Sequence, residues 1–428
     1  MAMEQILRLV IADDLTGAND TGVHFLSDQA AVVVIVDPSS ADFDPKDLKA
    51  PTIVVNTNSR SLSPENAFWA VQESVQKFAF LNPREIFKKI DSTLRGNVGA
   101  EIDAVMGASG FRVACVAPAT PRNGRTVRDG LCYVNGIPLA ATEVANDPFT
   151  PVQGSDVRMI IASQTDRTIG LLPLEIVRST PEVSVAFVQS LIATGIEIIV
   201  ADTMTIEDLR AVRTTFLALE EPVLYVGSAG FFHALGVSSE HSGSHSGLKQ
   251  GDSQRILMVV GSMMETSVAQ VTWLSEQVRL HEIHRLITEQ AIADSRSEID
   301  RLVSAVCEGF STSRLVLLQT DRDNSRLSGH VIVGSVLGKV VDAVLRSMDI
   351  DVLVVTGGDT AMHILKGLKV NELELIDESL PGIPVGRIMV PGIPQPIVFI
   401  SKAGSFGEPD ALEGVFDYIQ NKPTTQVG

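Results

Sequence analysis

Short runs of Val, Ile, Leu and Ala punctuate the chain at "LRLVIA", "AVVVIV", "TIVVN", "EIFKKI", "FRVACVA", "IEIIVAD" and "PVLYVG", with stretches of helical period such as 64–80 and 208–219 between them. Apolar runs of about four to eight residues read as strands buried on both faces, and strands alternating with helices predict a mainly parallel sheet. This succession is read as a first domain, 1–236. The stretch "GVSSEHSGSHSGLKQGDSQ" follows, dense in Ser, Gly and His, and residues 237–254 read as a flexible linker in which His241 and His245 make only a weak metal pair. The alternation restarts at "RILMVVG", "RLVLLQT", "DVLVVTGG" and "PIVFISKAG", with a helix expected over 329–348, giving a second domain at 255–428. The expected fold class is α/β, two domains with mainly parallel sheets.

In open parallel sheets ligands bind at the carboxyl ends of the strands, so the residues after each apolar run are the first candidates. "IADDLTGANDTG" places Asp13 and Asp14 there, at a helix start, where acids also serve as plain turn and cap formers. Their adjacency excludes the haloacid-dehalogenase arrangement, which needs one residue between two acids. "FKKIDSTLRGNVGAE" ends another strand with Lys89, Asp91, Ser92 and Arg95, and "NTNSR" ends a third with Arg60. Converging, these residues would supply positive charge for a carboxylate and donors and acceptors for sugar hydroxyls. "APATPRNGRTVRDGLCYVNGIPL", carrying Arg122, Arg125 and Arg128, reads as a long loop with a hairpin, either a wall or lid of that site or a contact surface.

Three strand ends of the second domain share one character: "VVGSMMET" with Ser262, "VVTGGDTAMH" with Gly357, Gly358, Asp359 and Thr360, and "ISKAGSFGEPD" with Lys402 and Gly404. Glycines admit close backbone approach and helix N-termini favour phosphate, although glycine also serves tight turns. "GSVLGKV" has the wrong spacing for a Walker A loop, no G-x-G-x-x-G or G-x-S-x-G is present, and "LHEIH" is no zinc helix.

Composition narrows the partners. Acids outnumber Lys and Arg by 52 to 34, and a net charge of −18 repels nucleic acid while leaving room for a small anion held by locally converging cations. At 428 residues two or three cores are expected, and 45% hydrophobic with 5% aromatic residues favours helices on parallel strands over a β-sandwich. Cys115, Cys132 and Cys307 show no CxxC spacing and read as reduced thiols. Neither a secretory pattern nor a membrane-length apolar segment is evident, so a soluble, cytoplasmic protein is expected, with sheet edges able to pair into a homodimer.

The order and spacing of "IADDLTGANDTG", "KKIDSTLRGNVGAE", "GRT" with "VNGIPL" and "TEVANDPFTPV", "TGGDTA" and "SKAGSFG" resemble the four-carbon acid sugar kinase family over nearly the whole chain. Leu15 departs from the Phe usual in the first motif. The resemblance implies a sugar-acid-binding first domain, an ATP-binding second domain, a reaction in the cleft between them, and transfer of the γ-phosphoryl group to the C4 hydroxyl. D-threonate is the expected acid, ahead of D-erythronate and 3-oxo-tetronate. Carried over, Asp14, Arg60, Lys89, Ile90, Asp91 and Ser92 would hold the acid, with Arg60 and Lys89 on its carboxylate. Ser262, Gly357, Gly358, Asp359, Thr360 and Gly404 would hold ATP. Asp359 is the candidate for orienting Mg²⁺ or accepting the C4 hydroxyl proton. A non-catalytic sensor of nucleotide or sugar acid and a dinucleotide-dependent dehydrogenase are the alternatives.

Overall fold

The computed structural model describes residues 8–27, 30–41, 43–48, 50–147, 150–235, 254–278, 283–321 and 330–420. The stretch read as a linker lies outside them except for Gln254, as do His241 and His245. The chain forms two compact units: Met1–Val32 with Asp37–Glu240, and Val33–Val36 with His241–Gly428.

In chain order the strands up to the end of the first unit are β1 (Arg8–Ala12), β2 (Val32–Ile35), β3 (Thr52–Asn56), β4 (Glu85–Lys89), β5 (Val113–Ala117), β6 (Arg125–Arg128), β7 (Leu131–Val134), β8 (Ile137–Pro138), β9 (Ile169–Leu172), β10 (Ile198–Ala201) and β11 (Val223–Gly227). The first unit orders them β3-β1-β4-β11-β5-β10-β9, with every neighbour parallel. The expected hairpin is the small antiparallel sheet β6-β7-β8. Helix Pro64–Phe78 illustrates the local logic: Ser63 caps it (Asn66 N to Ser63 Oγ, 3.3 Å), Pro64 occupies a first-turn position, and Ala67, Val71, Val75 and Phe78 recur on the buried face. Phe25, Phe87 and Phe232 pack with ring centroids 5.6 to 6.1 Å apart, gathering scarce aromatics into one cluster behind β4.

The second unit contains β12 (Ile256–Val260), β13 (Ile283–Leu286), β14 (Leu315–Thr320), β15 (Val352–Thr356), β16 (Glu372–Leu380), β17 (Ile383–Ile388) and β18 (Ile397–Lys402). Its order is β13-β14-β12-β15-β18-β17-β16-β2, parallel as far as β18 and then an antiparallel ribbon. The run "AVVVIV", read with the first domain, therefore joins the second unit, where Val36 N donates to Asn371 O at 2.8 Å. Met258, Leu317, Val354 and Ile400 pack against Leu274 and the helix Ala411–Ile419 to form the core here. The helix expected over 329–348 is His330–Ser347. Among the described residues no helix is long and apolar enough to cross a membrane.

Register brings the polar motifs together. Ala12 pairs with Asn56 and Lys89, and Gly227 with Lys89 and Ala117, in the first unit. Thr356 pairs with Val260 and Lys402 in the second. Within each unit taken by itself, the residues that follow these positions share a sheet edge.

Candidate active site

In the first unit the chain leaves β1 and enters the helix Leu15–Gly22 with Asp14 as N-cap, its Oδ1 accepting from Gly17 N at 2.9 Å. Arg60 spans both acids: Nε donates to Asp13 Oδ2 (2.7 Å), Nη1 to Asp14 Oδ2 (2.8 Å) and Nη2 to Asp14 Oδ1 (2.7 Å). A planar five-donor fork makes this possible, and a lysine could not replace it. Asp13 is buried, and its Oδ1 has no hydrogen-bond partner among the described residues. Burial pushes the Asp13 carboxyl up, but Arg60, Lys88 and Lys89 together hold it below its ordinary value. With three of its five N–H groups committed to these acids, Arg60 acts first as the organiser of the strand end.

A buried layer fixes Arg60 in turn. Asn97 Nδ2 donates to Ser59 O (3.0 Å), Arg60 O (3.4 Å) and Leu62 O (2.9 Å). Ser59 Oγ donates to Glu101 Oε1 at 2.6 Å, and Lys88 Nζ pairs with Glu101 Oε2 at 2.6 Å, with both side chains buried. The "IDSTLRG" turn carries Leu94 at φ 61° and Gly96 at φ 90°; a methyl on Gly96 would meet Arg60 Cγ at 3.0 Å. Asp91 organises that turn, accepting from Arg95 Nε (2.9 Å), Arg95 Nη2 (3.1 Å) and Thr93 Oγ1. Against burial, Arg95 and Arg60 hold the Asp91 carboxyl well below its usual range.

Lys89 is different. It is buried, yet no hydrogen bond or ion pair joins its ammonium to any described residue. A methyl on Gly17 would lie 2.6 Å from both Lys89 Nζ and Asp14 Oδ1, so glycine keeps a small polar space open between them. Two residues that sequence reasoning missed share this neighbourhood. Burial raises the Asp20 carboxyl, with Lys89 opposing and Asp14 adding to the rise. His24 is pushed down to about 3 by burial, with His233, Arg122 and Lys89 contributing, and its ring meets that of His233 edge-on at 5.2 Å. Both follow from the helix that Asp14 caps, whose polar residues "ND" preceding His24 were the available signal.

The remaining first-unit residues divide. Ile90 is buried and anchors the strand end through its N–H to Gly227 O at 2.9 Å. Ser92 is half-buried, and its carbonyl accepts from Cys132 Sγ of β7 at 3.8 Å, tying the antiparallel sheet to this edge. Arg122 contributes charge near the two histidines, whereas Arg125 bonds Asn123 O and Arg128 is exposed beside Asp129.

In the second unit the glycines converge. A methyl on Gly261 would lie 2.0 Å from Thr360 Oγ1, one on Gly357 3.1 Å from the same atom, and one on Gly404 2.1 Å from Ser262 Oγ. Ser262, Gly357, Thr360 and Gly404 are thus brought together as expected positions of one surface. Gly357, at φ 107°, precedes helix Gly358–Gly367 without any side-chain cap, leaving first-turn N–H groups for a ligand. Asp359 stands exposed in that first turn. A cavity of about 580 Å³ opens at Ser262, lined also by Val268, Val271, Ile283, Arg285 and Asp321. Sequence reasoning missed Ser267 and Gln270, both fully buried: Ser267 Oγ donates to Gly404 O at 2.7 Å, and Gln270 Nε2 to Phe406 O, Gly407 O and Glu408 O at 3.0, 3.1 and 2.9 Å.

Comparison with known proteins gives two family matches along the chain. A model described as a sugar-binding N-terminal domain matches residues 8–235, and one described as a nucleotide-binding C-terminal domain matches residues 257–412. The chain is 33% identical over 433 residues to a D-threonate kinase of Salmonella typhimurium, covering 96% of this chain and 98% of that one. It is 29% identical over 445 residues to a D-erythronate kinase of Heliobacterium modesticaldum, covering 97% of each. A solved Salmonella typhimurium structure matches with a TM-score of 0.79 at 20% identity, over 97% of this chain and 99% of that one, a likeness of fold.

Proposed function

Because the chain belongs to the four-carbon acid sugar kinase family, we propose that the Asp14–Lys89 neighbourhood of its first unit binds a four-carbon sugar acid, D-threonate, and that the glycine-lined edge of its second unit binds ATP. The protein is an ATP-dependent kinase of four-carbon sugar acids.

Lys89 carries the substrate reading. The Lys89 side chain is buried, while its ammonium hydrogen-bonds to no described residue and so is available to an anion, and the Asp14 carboxylate beside it offers an acceptor to a hydroxyl. A sugar acid presents both complements, and each charge-assisted hydrogen bond of this kind contributes about 1.5–3 kcal/mol. Arg60 supports the carboxylate indirectly by fixing Asp14, and its remaining N–H groups add positive charge.

ATP fits the second unit because methyls on Gly261, Gly357 and Gly404 would fill the surface where phosphates approach the backbone. Mg²⁺ fits as an ion carried by those phosphates with Asp359 as the protein carboxylate, and among the described residues no cluster of three ligating side chains builds a dedicated cage. Bound there it would neutralise charge on the γ-phosphoryl group. Phosphoryl transfer asks the protein chiefly for positioning and charge stabilisation. Asp14 would select which hydroxyl is presented, and Asp359 would serve either Mg²⁺ or, in the alternative, the C4 hydroxyl proton as its acceptor.

The test is an ADP-release assay with ATP, Mg²⁺ and D-threonate, D-erythronate or 3-oxo-tetronate. Highest kcat/KM on D-threonate, with phosphate on C4 of the product, is expected. A higher kcat/KM on either other acid overturns the substrate, and binding of ATP and all three acids without ADP release favours the sensor.

A further inference from the structure

We propose that Lys402 is a positioning residue for the nucleotide: with Ser267 and Gln270 it turns the carbonyls of residues 403–408 inward, and it takes its counter-charge from the nucleotide's phosphates. The proposal rests on reading the second unit as the nucleotide site.

Lys402 closes β18 and is 1% exposed. Its Nζ donates to Ala403 O and Phe406 O, both at 2.8 Å. Ser267 holds Gly404 O, and Gln270 holds Phe406 O, Gly407 O and Glu408 O. Five consecutive-region carbonyls, those of Ala403, Gly404, Phe406, Gly407 and Glu408, are thereby drawn toward the protein. In a trans peptide the C=O and the next N–H point in opposite directions. The clamp therefore aims the N–H groups of Gly404, Ser405, Gly407 and Glu408 away from the interior, while Phe406 N bonds back to Ala403 O at 3.2 Å. Outward amides in a turn form an anion-binding concavity. Gly404 borders Ser262, so the concavity adjoins the cradle already described.

A neutral donor could hold carbonyls as well, and a buried cation without a partner is unfavourable. The charged groups on the elements packed around Lys402 are Glu265 and Glu276 on helix Glu265–Gln277, Asp359, His363 and Lys366 on helix Gly358–Gly367, Arg387 on β17, Glu408 and Asp410 beyond the turn, and Glu413 and Asp417 on helix Ala411–Ile419. Among the described residues none pairs with Lys402; Arg387 pairs with Glu374, and Glu413 accepts from Trp273. Burial alone pushes the Lys402 ammonium down to about 8. An arriving polyphosphate favours the charged form, so at that pH nucleotide binding draws a proton onto the protein.

The experiment is calorimetric titration of the full-length protein with ADP at pH 8 in two buffers of different ionisation heat, alongside steady-state kinetics. Wild type should take up a fraction of a proton, and its ADP affinity should fall as pH rises above 8. Lys402→Met should abolish the uptake, flatten the pH dependence and raise KM for ATP by roughly tenfold or more, while KM for the sugar acid stays unmoved. Ser267→Ala keeps the lysine and should raise KM for ATP with proton uptake retained. If Lys402→Met does not fold, the wild-type buffer comparison and Ser267→Ala decide. ADP binding with no proton uptake in wild type overturns the proposal. Failure of wild type to bind ADP at all overturns the nucleotide reading instead.

Discussion

At the end of β1, Arg60 grips Asp13 and Asp14, and behind it Lys88 and Glu101 form an ion pair with both partners buried. At the end of β15 stand Gly357, Gly358 and Thr360, and among the described residues no ion pair involves Ser262, Asp359 or Lys402. Both edges terminate parallel strands of Val and Ile, so the difference lies in what each presents. The first presents charged side chains held in direction by other charges; the second presents main chain held in direction by neutral donors and one lysine. A short polyol acid can be told from its stereoisomers only by directional side chains, whereas a polyphosphate is met by a row of amides.

The contrast breaks most visibly where charge is removed from the first edge. Arg60→Ala leaves Asp13 buried without the cation that hydrogen-bonds it, and we expect a loss of roughly 3–5 kcal/mol in denaturant unfolding together with loss of measurable turnover. Stability within about 1 kcal/mol of wild type would show that the first edge does not depend on ion pairing. Lys88→Met alone should likewise destabilise by roughly 3 kcal/mol, and adding Glu101→Leu should recover part of that loss, since removing both charges leaves none stranded. A double variant less stable than the single would contradict this.

At the second edge the effects are kinetic. Asp359→Ala should lower kcat by roughly 10²-fold with little change in unfolding. Near-normal turnover would remove Asp359 from the chemistry. Gly404→Ala places a methyl 2.1 Å from Ser262 Oγ, and a rise of about tenfold in KM for ATP is expected without change in KM for the acid. The smallest effect at neutral pH belongs to His24. Its folded value of about 3 lies below the unfolded 6.5, so the native state binds fewer protons between them, and stability falls as pH drops from about 6.5 toward 3. His24→Asn should flatten that slope in an acid unfolding series, and an unchanged slope would refute it.

The two edges also differed in how far they could be foreseen. Gly357, Gly404 and Ser262 were recognisable because glycine after an apolar run has few uses, and parallel register then had to align them. Lys88 was not recognisable as a buried ion, since "EIFKK" reads as a strand running out into solvent and Glu101 lies on the next helix, outside any periodic pattern. Ser267 and Gln270 look like ordinary helix polar residues until the 403–408 turn is laid against them. The mainly parallel fold followed from alternation, but the place of "AVVVIV" did not, because a local run of Val specifies strand and not sheet membership.

That last misplacement has a consequence in time. Val36 bonds Asn371, so a Val-rich strand made early in synthesis waits about 335 residues for its partner. At roughly 5–20 residues per second the ribosome takes about 17–67 s to supply it. Throughout that interval the edge of this apolar strand that β16 later covers stays open, a template for wrong pairing. The second unit expressed alone would never receive that strand.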